Sequence, residues 1–373
     1  MSFLNISYRP SSLSQVIGQE AIVKALARSL LEDISPSAFL FYGIRGVGKT
    51  TLARILAYSF ACLSPVNGEA CSSCPSCQAF KNGSHLDITE LDAASRTGVD
   101  DIREIINACQ YTPVIGRSKV FIIDEIHMLS KSAFNALLKT LEEPPTHVKF
   151  IFATTEVNKV PDTILSRCLI FQLRPISLET LSNHLITVAE KDNIKLTKDA
   201  SDLIADEAGG SVRDALSLLK QASLLSEKVT TEVVASIIGG VQPRDIKNLL
   251  TLISEGRVAD ASICVKSMLA SGADALSIYK QLQKALYAEI VEKKNNKSEL
   301  TRLLYLWQVL LKQYENISNT AYPDCIIGAT VIMLAHVASF PDIGSILNSS
   351  GNGNGKIEEI LSLFPKSIVS EVE

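Results

Sequence analysis

The chain has 373 residues, room for about two to three domains, and its 46% hydrophobic against 20% charged residues exclude disorder for the bulk of it. Lys and Arg number 36 against 40 Asp and Glu, a net charge of −4, which excludes a wholly basic nucleic-acid coat but not a local basic surface. The longest apolar run, Cys325 to Ala335, falls short of the roughly 20 residues of a membrane helix, and MSFLNISYRP has no secretory pattern. A cytosolic protein away from membranes is expected, in which the 8 cysteines do not form a disulfide framework.

Residues 1–175 alternate strand-like and helix-like segments. Ala38 to Tyr42, Asp87 to Leu91, Val120 to Ile123, Lys149 to Ala153 and Ile170 to Leu173 are short apolar runs. Near-continuous apolar strands separated by helices predict a parallel sheet covered on both faces. After Ser130, a plausible N-cap, Ala133, Phe134, Leu137, Leu138 and Leu141 fall on one helical face, and Pro144-Pro145 stops the helix. After Pro175 no strand is expected. Residues 176–239 read as three or four short helices, with a break at Gly209-Gly210 and a capping pattern at Ser211 to Asp214. Gly239-Gly240 suggests a boundary. Residues 240–340 read as about five longer helices, among them Asp274 to Lys293 and Ser298 to Asn316. Residues 341–373 read as a linker, SSGNGNG, and a short tail.

Gly43-Ile44-Arg45-Gly46-Val47-Gly48-Lys49-Thr50 matches the phosphate-loop pattern G-x-x-x-x-G-K-[ST], between a strand and a helix beginning near Thr51. Its glycines let backbone N–H groups turn around a phosphate chain, and the helix N-terminus adds partial positive charge. Lys49 is expected on the β- and γ-phosphates of ATP and Thr50 on Mg²⁺. Asp124 and Glu125 end the apolar strand Val120 to Ile123, where open α/β sheets bind ligands. Asp124 would orient Mg²⁺ and Glu125 would polarise the attacking water. His127 is read as packing against or orienting Glu125.

Cys62, Cys71, Cys74 and Cys77 are spaced C-x₈-C-x₂-C-x₂-C. Four such thiolates in a cytosolic chain point to a closed structural Zn²⁺ site, with an iron–sulfur cluster as the alternative. Pro65, Asn67, Gly68 and Pro75 suit tight knuckles rather than a helix. Cys109, Cys168, Cys264 and Cys325 are read as small buried hydrophobes. Tyr305, Trp307 and Tyr314 lie on a predicted helix and are assigned to core or subunit contacts.

The strings GIRGVGKTTLARILA, LDAASRTGVDDIREI, IIDEIHMLSKSAFNALLKTLEEPP, ATTEVNKVPDTILSRC and GGSVRDALSLLKQA occur in this order. Together they resemble the bacterial DNA polymerase III gamma/tau subunits, densely from Tyr8 to Ala222 and more weakly to Phe340. The resemblance implies an α/β AAA+ P-loop domain over 1–175 with a zinc module inserted at about 62–80. It also implies a small helical lid over 176–239 and a helical-bundle collar over 240–340. The activity implied is ATP hydrolysis that opens and loads a sliding clamp on primed DNA, without a polymerase active site in this chain.

Carried over by resemblance, Arg9, Pro10, Val16 and Ile17 pack near the adenine, and Thr155 senses the γ-phosphate or the attacking water. Arg167 reaches into a neighbouring subunit's ATP site and Arg213 into its own. Arg96, Lys131 and Lys139 are candidate DNA contacts. The implied partners are delta- and delta-prime-type subunits, copies of the chain itself, the clamp and primed DNA, in a bacterial cytoplasm near the nucleoid. The chain's length resembles the short gamma-type form. A Holliday-junction-type motor, which would end in a winged helix without the cysteines, and an inactive loader scaffold are the competing readings.

Overall fold

The computed structural model describes residues 8–31, 36–294 and 296–339; the linker and tail expected over 341–373 lie outside them. The chain divides between Val234 and Ala235 into two compact units, five residues before the Gly239-Gly240 pair.

The first unit is built on five parallel strands, β1 (Ala38–Tyr42), β2 (Ile88–Asp92), β3 (Lys119–Asp124), β4 (Val148–Thr154) and β5 (Leu169–Gln172), in the spatial order β2-β3-β4-β1-β5. Helices connect them: α1 (Glu20–Leu31) precedes β1, α2 (Lys49–Ala61) and α3 (Pro75–Lys81) follow it, and α4 (Val99–Cys109) follows β2. α5 (Lys131–Glu142) follows β3, and the single turn α6 (Asp162–Leu165) follows β4. The two faces of the sheet are buried with period 2. Leu40, Phe121, Ile123, Phe150 and Phe152 form one core with Ile102 and Ile105 of α4 and Phe134 and Leu137 of α5. On the other face α2 packs on β3 and β4, and its Phe60 meets Phe39 at a ring separation of 5.6 Å.

Ser130 caps α5 as its sequence predicts, accepting the Ala133 N–H at 3.2 Å. β2 begins one residue later than expected, at Ile88, although the Asp87 carbonyl already accepts the Val120 N–H of β3 at 2.8 Å. The connection from β1 to β2 holds the first departure from the expected knuckles. Pro75 opens a helix, α3, in its first turn, where its fixed φ is favourable and its missing N–H has no intrahelical partner to lose.

Residues 178–237 form α7 (Leu178–Lys191), α8 (Lys198–Glu207), α9 (Val212–Leu225) and α10 (Thr231–Ile237). Contrary to expectation, two strands occur here, β6 (Lys195–Leu196) and β7 (Lys228–Val229), paired in parallel. At two residues each they are too short to leave a periodic pattern. Ser177, Thr197 and Ser211 cap α7, α8 and α9 through their hydroxyls.

The second unit packs α11 (Pro243–Ser254), α12 (Val258–Ala270), α13 (Ala275–Glu292), α14 (Lys297–Leu311), α15 (Tyr314–Ser318) and α16 (Pro323–Ala338) around Leu249, Tyr279, Leu282, Leu310 and Val331. Among the described residues five of these are longer helices, as expected, and the five-residue α15 is added. The expected Ser298 to Asn316 helix breaks after Leu311, where Gln313 N–H bonds the Leu310 carbonyl at 3.0 Å and tightens the chain. The break brings Tyr314 to 5.8 Å from the Tyr279 ring and buries Ile317. Trp307 meets Tyr287 at 5.9 Å, while Tyr305 is largely exposed. No described helix is long and apolar enough to cross a membrane.

Candidate nucleotide site and cysteine cluster

β3, β4 and β1 are neighbours, so their C-terminal ends converge at one edge of the sheet. The loop after β1 turns on three glycines with positive φ: Gly43 at 152°, Gly46 at 78° and Gly48 at 106°. At two of these a side chain is also excluded by space. A Cβ on Gly43 would lie 2.4 Å from the Leu173 carbonyl oxygen, and one on Gly46 would lie 2.0 Å from Ser211 Oγ. Arg45, Gly46, Val47, Gly48, Lys49, Thr50 and Thr51 line the cleft. Gly43 and Ile44 stand behind it, where their carbonyls accept from Lys49 Nζ at 3.0 Å each. Burial pushes the Lys49 pKa down, and the carboxylates of Glu125 and Asp124 oppose that shift.

Thr50 Oγ1 donates to Asp124 Oδ2 at 2.7 Å, and Glu125 N–H donates to Asp124 Oδ1 at 2.9 Å. A hydroxyl and a carboxylate placed together are the hard oxygen donors that Mg²⁺ selects. Glu125 itself sits at φ 47°, ψ 47°, a left-handed backbone uncommon for a residue with a side chain. Its Oε2 accepts from Thr155 N–H at 2.9 Å and Thr155 Oγ1 at 3.0 Å. His127, with a side chain 7% exposed, holds Nδ1 2.9 Å from Thr154 Oγ1 and 3.3 Å from Glu125 Oε2. Its Nε2 lies 3.4 Å from Glu156 Oε1. His127 thus contacts Glu125, whereas its Thr154 and Glu156 partners are beyond what sequence spacing reveals.

The cleft, about 1490 Å³, is closed on other sides by two further segments. Tyr8, Arg9, Pro10, Gln15, Val16 and Ile17 come from the N-terminal stretch; His184, Thr187, Lys191 and Arg213 come from α7 and α9. Arg213 is positioned by the start of α9, whose backbone N–H donates to the Gly46 carbonyl at 3.3 Å. Desolvation lowers the Arg9 pKa, as does the neighbouring Arg54 cation. Arg54 is held by Glu90 through two bonds of 2.6 and 2.8 Å. The contributions of Tyr8, Arg54 and α7 were not singled out from sequence, since none belongs to a motif.

Arg167 does not line this cleft. Its guanidinium pairs with Glu142 Oε1 at 2.5 Å and donates to the Thr163 carbonyl at 2.6 Å. Arg96, Lys131 and Lys139 are exposed. The helix after Arg96 opens with Asp100 and Asp101, which compensate its N-terminal dipole and weaken it as a phosphate seat.

The four Sγ atoms of Cys62, Cys71, Cys74 and Cys77 lie within 4.8 Å of one another, and all four are free thiols. Cys62–Cys77, Cys71–Cys77 and Cys62–Cys74 are separated by 3.6, 3.8 and 3.9 Å. A tetrahedron with Zn–S bonds of about 2.3 Å has sulfurs about 3.8 Å apart, so the set fits the ion. Hydrogen bonds from the Ser73 and Cys74 backbone N–H groups lower the Cys71 pKa to about 5, favouring the thiolate that a metal requires, whereas burial raises that of Cys62 and pushes that of Cys77 up to about 12, so these two need a bound cation to ionise. Of the remaining cysteines, Cys109 is buried and Cys168 and Cys264 are half-buried. Cys325 is exposed in the first turns of α16, against the expectation of burial.

A sequence profile described as "DNA polymerase III, delta subunit" matches residues 18–177, and another, "DNA polymerase III clamp loader subunit, ATPase lid domain", matches residues 180–228. The chain is 43% identical to the DNA polymerase III subunit gamma of Buchnera aphidicola subsp. Baizongia pistaciae, over 69% of this chain and 70% of that protein. It is 38% identical to the DNA polymerase III subunit tau/gamma of Haemophilus influenzae over 90% of this chain, and spans about half (51%) of that relative's length. Among solved structures, the Holliday junction branch migration motor RuvB of Thermotoga maritima aligns with 68% of this chain and 80% of its own, at 22% identity and a TM-score of 0.47. With two adjoining profile matches and a relative 43% identical that the chain covers over 70% of its length, the chain belongs to the DNA polymerase III gamma/tau family of clamp-loader subunits.

Proposed function

We propose that the chain is an ATP-hydrolysing motor of a clamp loader, acting with delta- and delta-prime-type subunits and copies of itself to open a sliding clamp and load it on primed DNA. One observation carries the reading: Lys49, Thr50, Asp124, Glu125, Thr155 and Arg213 meet at a single cleft, while Arg167 stands outside it. Lys49 and the backbone N–H groups of the loop bind the phosphates of ATP. Thr50 and Asp124 would hold Mg²⁺, which when bound neutralises charge on the β- and γ-phosphates. Glu125 accepts a proton from the attacking water, and Thr155 and His127 fix where its carboxylate stands. Arg9, Pro10, Val16 and Ile17 flank the base. Arg167, supplied to a neighbouring copy, would stabilise the developing charge there. Cys62, Cys71, Cys74 and Cys77 hold one structural Zn²⁺; elemental analysis of protein purified without added metal distinguishes it from an iron–sulfur cluster. Arg96, Lys131 and Lys139 are the proposed DNA contacts.

The test is ATP turnover by the assembled loader with clamp and primed DNA. Lys49→Ala is expected to abolish stimulated hydrolysis while circular dichroism and thermal melting stay near wild type. Near-normal turnover by this variant overturns the assignment.

A further inference from the structure

Three of the four cysteine sulfurs share one kind of donor. Cys62, Cys71 and Cys74 each accept the backbone N–H of the next cysteine, at 3.3, 3.4 and 3.4 Å. Cys77, the last of the four, has no cluster cysteine after it to supply an N–H, and the backbone N–H of Ser72 faces it instead. Around it, Tyr58 of α2 packs with Cys62 and Cys77 in one buried cluster, and its ring stacks on Phe80 of α3 at 4.7 Å. The Tyr58 hydroxyl oxygen is buried and has no hydrogen-bond partner among the described residues. The groups that face it are the Cys77 and Cys62 sulfurs and the Ser72 side chain. A buried phenol without a well-placed acceptor is costly, and a protonated thiol is a poor one. A metal-bound thiolate is a good one. Four thiolates around Zn²⁺ carry a net charge of −2, which donors outside the ligand shell must spread.

We propose that Tyr58 is the outer-shell donor of the cysteine cluster, its O–H directed at the Cys77 thiolate when Zn²⁺ is held. This rests on the zinc reading above. The hydroxyl then adds to the Ser72 N–H at Cys77 the side-chain donor that the cluster's own backbone does not supply. It lies on α2, the helix whose first residues form the phosphate loop, so the same element supports both sites.

Tyr58→Phe removes only the hydroxyl and keeps the ring on Phe80. In the full chain, Zn²⁺ affinity measured by chelator competition is expected to fall about tenfold in this variant. In Co²⁺-substituted protein the sulfur-to-metal charge-transfer band should shift, a signal that a merely packing role for Tyr58 leaves unmoved. Wild-type protein that binds Zn²⁺ tightly, with Tyr58→Phe matching it within twofold and an unshifted Co²⁺ spectrum, overturns the Tyr58 assignment alone. Wild-type protein that retains no metal overturns the zinc reading and this proposal together.

Discussion

The carboxylate of Asp87 accepts three backbone N–H bonds, from Val114 and Ile115 at 2.7 Å each and from Gly116 at 2.8 Å. Burial alone would raise its pKa, but the three donors outweigh burial and hold it below the usual 3.8. A carboxylate with a depressed folded pKa stabilises the fold above its unfolded pKa of about 3.9, and that contribution is lost as pH falls through the folded value. Asp87→Asn keeps the size but loses the charge. It should cost roughly 1–3 kcal/mol at pH 7, measured by urea denaturation. Its stability should also fall less between pH 5 and pH 2 than that of wild type. Equal acid sensitivity of the two proteins would show that Asp87 does not set this limb. In the sequence Asp87 reads only as the start of a strand, because its three partners lie 27 to 29 residues away. Lys49, Thr50 and Asp124 were legible for the opposite reason: their chemistry is tied to a fixed local spacing. His127 falls between these cases. Its place beside Glu125 follows from adjacency, whereas its bond to Thr154 depends on the pairing of whole strands.

The helix α2 ties two sites together at its ends. Lys49 and Thr50 open it, and Cys62 follows its last residue. The Ala61 carbonyl, left without an intrahelical partner, accepts from Ser76 Oγ at 2.8 Å and from Arg117 N–H at 3.1 Å. Ser76 is in turn bonded to His85 Nε2 at 2.8 Å. The C-terminal end of the helix therefore keeps one brace outside the cysteine segment, the Arg117 N–H, and the loop lies about 18 Å from it at 1.5 Å per residue. Chelating the metal should raise amide hydrogen exchange across 62–81 and leave 43–52 protected, with ATP affinity changed less than about threefold. Loss of protection in the phosphate loop on chelation would contradict this separation. The central strands were readable because parallel strands buried on both faces are continuous apolar runs. The helix α3 was not, because a proline among closely spaced cysteines has the same composition in a knuckle and in a first helical turn. Two-residue β6 and β7, and the break after Leu311, arise from pairing and packing that no local pattern encodes.

At the scale of the assembly, Arg167 is the residue whose position the single chain leaves unused in its own cleft. It follows α6, and its partners are the carboxylate of Glu142 at 2.5 Å and the carbonyl of Thr163 at 2.6 Å. Both side chains of the ion pair keep solvent contact, and a pair of this kind is worth about 1 kcal/mol or less, little resistance to exchanging Glu142 for a phosphate. Arg167→Ala should still bind nucleotide but lose DNA- and clamp-stimulated hydrolysis; arginine fingers are worth roughly 10³ to 10⁵ in rate, and a machine with several sites is expected to lose less. Mixing decides the geometry. Lys49→Ala chains offer an intact Arg167, and Arg167→Ala chains offer an intact phosphate loop. If the guanidinium serves a neighbour, mixed assemblies recover part of the stimulated turnover, at those interfaces where an intact loop faces an intact arginine. Neither variant assembled without the other can form such an interface. Mixtures that stay as inactive as the separate variants, while native mass spectrometry shows both chains in one assembly, would confine Arg167 to its own chain and end the intersubunit reading.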